Sequence, residues 1–183
     1  MSSRLCICAL LVLVFEISSA ASQLVIFDTD FILPPGDDGL ALLLGLQSSE
    51  ITILGVSTVA GNASTEQATA DVLWLLERTK NSHIPVYIGA DMPWVHKSSQ
   101  FAIDNHGEWY SDHAPKPPPG GFAKKQPEME SAASFLVRTV LDNPNQITIV
   151  AIGPLTNIAT AISQHADFSE NVKELFIMGG AIA

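Results

Sequence analysis

Four carboxylates crowd the stretch LVIFDTDFILPPGDD, where Asp28, Asp30, Asp37 and Asp38 fall within eleven residues. Like charges at that spacing oppose joint ionisation, and the usual remedies are a raised pKa or a hard cation held by several oxygens. Acidic residues in the first turn of a helix satisfy free N–H groups and suit the helix dipole, which accounts for Asp37 and Asp38 as caps. Capping leaves Asp28 and Asp30 unexplained. They flank Thr29 at the end of an apolar run and share one side of a strand's pleat. A metal or catalytic cluster is the expectation, and oxygen ligands without thiolates favour calcium or magnesium over zinc.

Thiolates are missing because both cysteines, Cys6 and Cys8, lie in residues 1–21. That segment has Arg4 near its start, an apolar run from Leu5 to Ile17 broken by Glu16, and then Ser18, Ser19, Ala20 and Ala21. The layout is that of a secretory signal peptide cut after Ala20 or Ala21. The run falls short of the ~20 apolar residues that span a bilayer. A secreted product with no stable membrane association after cleavage is therefore expected, and it would contain no disulfide. Net charge is −10 and stays there once Arg4 and Glu16 are removed, which argues against broad attraction to nucleic acid. An acidic surface is compatible with a divalent cation, and a homo-oligomer is possible. The 183 residues, 47% hydrophobic and 15% charged, suit one domain over 22–183 or part of a larger one.

The elements that must position the acids alternate. Leu24–Phe27 reads as a strand, and about Asp37–Gln47 as a helix so rich in leucine that burial nearly all round is expected. Ile51–Val59 is β-branched and ends in the turn Ala60-Gly61-Asn62. Ser64-x-x-Gln67 opens a helix to Lys80 as a capping box, and Pro85–Ile88 is a short strand. Asp91–Pro127 holds six of the eleven prolines and reads as irregular, a lid, a binding loop or disorder. Its His96, His106, His113, Trp94, Trp109 and Tyr110 can stack on a ring or donate a proton, or merely staple a surface loop down. Glu128–Leu141 reads as a helix, Ile147–Ile152 as a strand, Leu155–Ser163 as a helix after Gly153-Pro154, and Leu175–Met178 as a last strand.

Continuously apolar strands alternating with helices predict an α/β fold, an open, mainly parallel sheet with helices on both faces. Ligands of such Rossmann-like sheets bind beyond the carboxyl ends of the strands. Asp28 and Asp30, Asn62, the long loop, Gly153-Pro154 and Gly179-Gly180 all follow strands, so one site could gather them. A main-chain carbonyl at a strand end, such as that of Ile152, is a natural further ligand for calcium, although a plain strand-to-helix turn has the same composition.

These residues carry a resemblance. DTD followed by DDGLALLL, GVSTVAGN ending at Asn62, HGE at His106, AIGPLTNIA around Gly153 and FIMGGA containing Met178 resemble the inosine-uridine preferring nucleoside hydrolases. The resemblance implies cleavage of the N-glycosidic bond of ribonucleosides, with a calcium ion at the foot of the pocket. Carried over by position, it implies that Asp30 and Asp38 ligate calcium with the Ile152 carbonyl. It makes Asp30 the general base, with Asp37 and Asn62 on the ribose hydroxyls, Met178 beneath the ribose and His106 near the base. Asp28 looks like support behind the ligands.

Two kinds of departure bear on this, in sequence and in length. Six residues, Phe31 to Gly36, separate the acidic pairs, more than the family places there, so the connection is expected to bulge and return Asp37 and Asp38. Glu108-Trp109-Tyr110 also stands where the family tends toward glycine, which affects base preference. The second departure is length. Family members run well beyond the position matching Ala183, and the later ribose-binding, calcium-binding and leaving-group residues have no counterpart here. The expectation is a relative incomplete at the C-terminus, with an exposed last strand, weak calcium binding and little or no hydrolysis. Two alternatives stand beside it. FDTDFIL is close to the start of haloacid-dehalogenase-like phosphatases, with Asp28 as nucleophile, although no later lysine is in the expected place. A secreted, non-catalytic nucleoside-binding relative is the other.

Overall fold

The computed structural model describes residues 22–95, 100 and 114–180. The expected leader peptide, His96, His106, His113, Trp109 and Tyr110 lie outside the described residues. In chain order the elements are β1 (Gln23–Thr29), α1 (Asp37–Gln47), β2 (Ile51–Thr58), α2 (Thr65–Arg78), β3 (Val86–Ile88), α3 (Ala132–Asp142), β4 (Ile147–Ala151), α4 (Thr156–Gln164), α5 (Phe168–Asn171) and β5 (Glu174–Ile177). The strands form one five-stranded sheet in the order β3-β2-β1-β4-β5, with every neighbouring pair parallel. From β1 the chain steps outward through β2 to β3, then returns to the other side of β1 for β4 and β5. The reversal makes a crevice between β1 and β4, the place where open α/β sheets bind ligands.

β1 is apolar without interruption because it is covered on both faces. Val25 and Phe27 join Leu42 of α1 and Val72 and Leu76 of α2 in one core. Ile26 points to the other, with Phe135 and Leu136 of α3 and Ile158 of α4. The expected parallel sheet with helices on both faces is therefore the observed fold. Among the described residues no helix is long and apolar enough to cross a membrane.

Three details differ from the pattern. The leucine-rich α1 is buried on one stripe only: Leu42 is 1% exposed, whereas Leu40 is 52% and Leu44 75% exposed. The stripe is marked by glycine, since a Cβ at Gly45 would sit 3.0 Å from the Phe27 ring. α3 starts at Ala132 rather than Glu128, because Glu128 bridges to Tyr87 at the sheet edge and gives its N–H to the Val86 carbonyl. The Ser131 side chain then caps the helix on the Ser134 N–H. Short α5, unanticipated in a polar stretch, holds Phe168 in the core at 1% exposure. As expected, the last strand is exposed: Leu175, Phe176 and Ile177 are 40%, 57% and 51% accessible.

Candidate active site

Parallel pairing puts the carboxyl ends of all five strands on one rim. β1 delivers Asp28 and Thr29 there, with Asp30 next in the chain, and β1–β2 register sets Ser57 beside Asp28 and Thr58 beside Thr29. Beyond β2 the turn at Gly61 brings Asn62 over the acids. Its backbone N–H donates to Asp30 Oδ2 at 2.7 Å and its side chain Nδ2 to Asp38 Oδ2 at 3.3 Å. The six-residue connection does bulge. Phe31 anchors it in the core with no exposed surface, and Asp38 returns so that its Oδ1 accepts from Thr29 Oγ1 at 2.6 Å.

On the β4 side, the Ile152 N–H donates to the Asp28 carbonyl at 2.8 Å, locking the turn that leads into Gly153. A Cβ at Gly153 would come 2.6 Å from the Asp30 nitrogen and 3.0 Å from Asp30 Oδ1. One at Gly61 would overlap the same carboxylate. Two glycine turns thus close on Asp30 from either side, at approaches that no larger residue allows.

The acids are held unevenly. Asp28 has no exposed surface; its Oδ2 accepts from Ser57 Oγ and, at 2.8 Å, from Asn157 Nδ2. Asp28 Oδ1 and Asp30 Oδ1 are buried and have no hydrogen-bond partner among the described residues. Burial pushes the Asp28 carboxyl up to about 6, with Ser57 and Asn157 pulling against it and Asp30 adding to it. Burial likewise pushes Asp30 up to about 6; the Asn62 N–H opposes this, and Asp38 and Asp37 add to it. Asp38 is raised by burial too, against the Thr29 hydrogen bond. Without a cation, this crevice resists the charges its own residues would carry.

Buried carboxylate oxygens left without donors are costly unless something positive satisfies them. The donor set, two orphaned oxygens and a strand-end turn, fits a hard cation that accepts carboxylate and carbonyl oxygen. Among the described residues no three His, Cys, Asp or Glu side chains close on one metal position. Asp30 and Asp38, with the Ile152 carbonyl beside them, are the described groups that would hold such an ion.

Asp28, Asp30, Asp38, Asn62 and the Ile152–Gly153 turn are thus brought together. Asp37 is exposed in the first turn of α1, with its Oδ1 on the Asp38 N–H at 3.1 Å. Met178 reaches the same rim beyond β5, its N–H on the Ala151 carbonyl at 2.9 Å and its side chain 53% exposed. His106 lies outside the described residues. Sequence reasoning missed Ser57 and Asn157. Ser57 is flagged only as a hydroxyl inside an apolar strand, and nothing in spacing ties Asn157 to Asp28, 129 positions away. The phosphatase alternative finds no support, since a nucleophilic Asp28 would need an open approach that this fully buried side chain lacks.

An open, doubly wound α/β sheet with a carboxylate-lined crevice at its switch point is the class that fold and site define. Within that class, the chain belongs to the inosine-uridine preferring nucleoside hydrolase family, whose sequence model matches residues 25–183. It is 40% identical over 156 residues to Uridine nucleosidase 1 of Arabidopsis thaliana, covering 85% of this chain and 44% of that protein. It is 33% identical over 158 residues to the pyrimidine-specific ribonucleoside hydrolase RihA of Salmonella arizonae, covering 86% and 48%. Among solved structures, the plant nucleoside hydrolase PpNRh1 superposes with a TM-score of 0.69 at 33% identity, over 87% of this chain and 48% of that one. A purine-preferring ribonucleoside hydrolase from Gardnerella vaginalis superposes with a TM-score of 0.71 at 25% identity, over 87% and 49%. The chain spans about half the length of the relatives it matches.

Proposed function

We propose that this chain carries metal-binding and ribose-binding residues of a calcium-dependent ribonucleoside hydrolase, which splits the N-glycosidic bond to free base and ribose. The observation that carries the reading is the pair of buried, unpartnered oxygens, Asp28 Oδ1 and Asp30 Oδ1, at the sheet's switch point. Asp30, Asp38 and the Ile152 carbonyl would hold the ion, with Asp28 behind them. When bound, calcium supplies charge that lowers the pKa of water and offsets the carboxylates.

The chain's own residues do the rest. Asp30, its Oδ2 fixed by the Asn62 N–H, is placed as the carboxylate that would take a proton from the attacking water. Asp37 and Asn62 grip ribose hydroxyls, and Met178 supports the ring as its anomeric carbon gains oxocarbenium character. His106 serves the departing base. Orienting the reactants in this way contributes several kcal/mol in general, on the order of ~7–11 where alignment is best.

The match to about half of each relative's length leads us to propose little or no turnover by these 183 residues alone. Residues 1–21 act as a secretory leader and the product is extracellular. Calorimetry with calcium chloride, run beside an assay for ribose released from inosine and uridine with and without chelator, tests the reading. Weak calcium binding with little release is expected. An absence of calcium binding removes the metal assignment, and vigorous chelator-sensitive turnover removes the claim of low activity.

A further inference from the structure

We propose that Asn157 is a positioning residue, a three-way tie that holds the ends of β1, β2 and β3 together behind the carboxylates and so aims Asp28 and the turn bearing Asn62. The proposal rests on the reading of this rim as the hydrolase site. Asn157 stands in the first turn of α4, directly after the Gly153-Pro154 corner, and is 1% exposed. Its carboxamide is fully used. Nδ2 donates one hydrogen to Asp28 Oδ2 at 2.8 Å and the other to the Thr58 carbonyl at 2.9 Å, while Oδ1 accepts the Ala90 N–H at 2.8 Å. Its partners are a β1 carboxylate, the last residue of β2 and the turn after β3, at separations of 129, 99 and 67 positions.

Gly89 supplies a second observation. A Cβ there would fall on both polar atoms of the Asn157 amide and on the Thr58 carbonyl. The exit of β3 is therefore stripped of a side chain where the amide seats. Few other residues meet these demands. Aspartate has the shape but offers no N–H and sets a second carboxylate against Asp28. Leucine strands the Thr58 carbonyl and the Ala90 N–H, and glutamine is a methylene too long for a closed space.

The consequence reaches the carboxylates by two routes. With Oδ2 engaged by Asn157 and Ser57, Oδ1 is the oxygen of Asp28 left free. With the Thr58 carbonyl fixed, β2 ends at a defined point four residues before Asn62, whose N–H and amide hold Asp30 and Asp38.

Residue-resolved amide hydrogen exchange on the full chain, with Asn157→Asp and Asn157→Ala, tests the tie. In the parent the Ala90 and Asn62 amides should both exchange slowly. Asn157→Asp keeps the acceptor for Ala90 and loses both donors, so Asn62 should speed up by about tenfold or more while Ala90 stays protected. Asn157→Ala should release both. The core amides of Ile26 and Ile149 should hold in either variant. Equal acceleration of those core amides, or no change at Asn62, overturns the proposal, because Asn157 would then be a general stabiliser or a local link. If Asn157→Ala does not fold, the near-isosteric Asn157→Asp carries the test. Calcium chloride calorimetry adds a second readout, with about tenfold weaker binding expected in the variants. A parent that binds no calcium counts against the metal reading alone, and the exchange data still decide the tie.

Discussion

A buried carboxylate with one oxygen left over demands a partner, and Asp28 and Asp30 make that demand side by side. Asp30→Asn should abolish calcium binding in calorimetry, whereas Asp28→Asn, behind the ligands, should weaken it by about 10–100-fold. Asp37→Asn should leave it nearly intact, since Asp37 is exposed and hydrogen-bonded within α1. Protons and calcium compete for these groups. Both carboxyls are raised from 3.8 to about 6, so the fold holds their protons more tightly than the unfolded chain does. Their contribution to stability is complete below about pH 4 and is lost as pH rises through about 6 in the metal-free protein. Calcium needs them ionised, so the gap in melting temperature with and without it should widen over that window. A gap that stays constant with pH would contradict this. The acidic quartet was legible from charge spacing alone. Asn157 was not, because a tie between residues so far apart in sequence leaves no local pattern.

At the level of elements, apolar runs and β-branched residues located every strand, because a parallel strand covered on both faces has no polar alternation to obscure it. The same continuity misled at α1. Leucine on every side hid the buried stripe, which Leu42 at 1% exposure and Gly45 against Phe27 mark. Leu42→Ala should therefore cost ~2–5 kcal/mol in denaturant unfolding, while Leu44→Ser, at 75% exposure, should stay within ~0.5 kcal/mol. The start of α3 was misread because a tertiary bridge, Tyr87 to Glu128, claims residues whose local propensity is helical. Ser131→Ala should destabilise by ~1 kcal/mol through loss of that cap, whereas Glu128→Ala leaves the helix start unchanged in backbone chemical shifts.

For the molecule as a whole, the order β3-β2-β1-β4-β5 was implied by alternation only as a class. Which strand lies centrally depends on crossovers that no single segment encodes. In β5 and just past it, Leu175, Phe176, Ile177 and Met178 present 40–57% of their surface. The central position of β1 has a further effect in time. The first strand of the sheet receives its second neighbour only when β4 arrives, and Asp28 meets its amide donor 129 positions later. Contacts so distant in sequence close slowly. During synthesis the acidic pocket therefore stays unassembled until β4 and the start of α4 have emerged, and an ion can reward the finished architecture but cannot nucleate it.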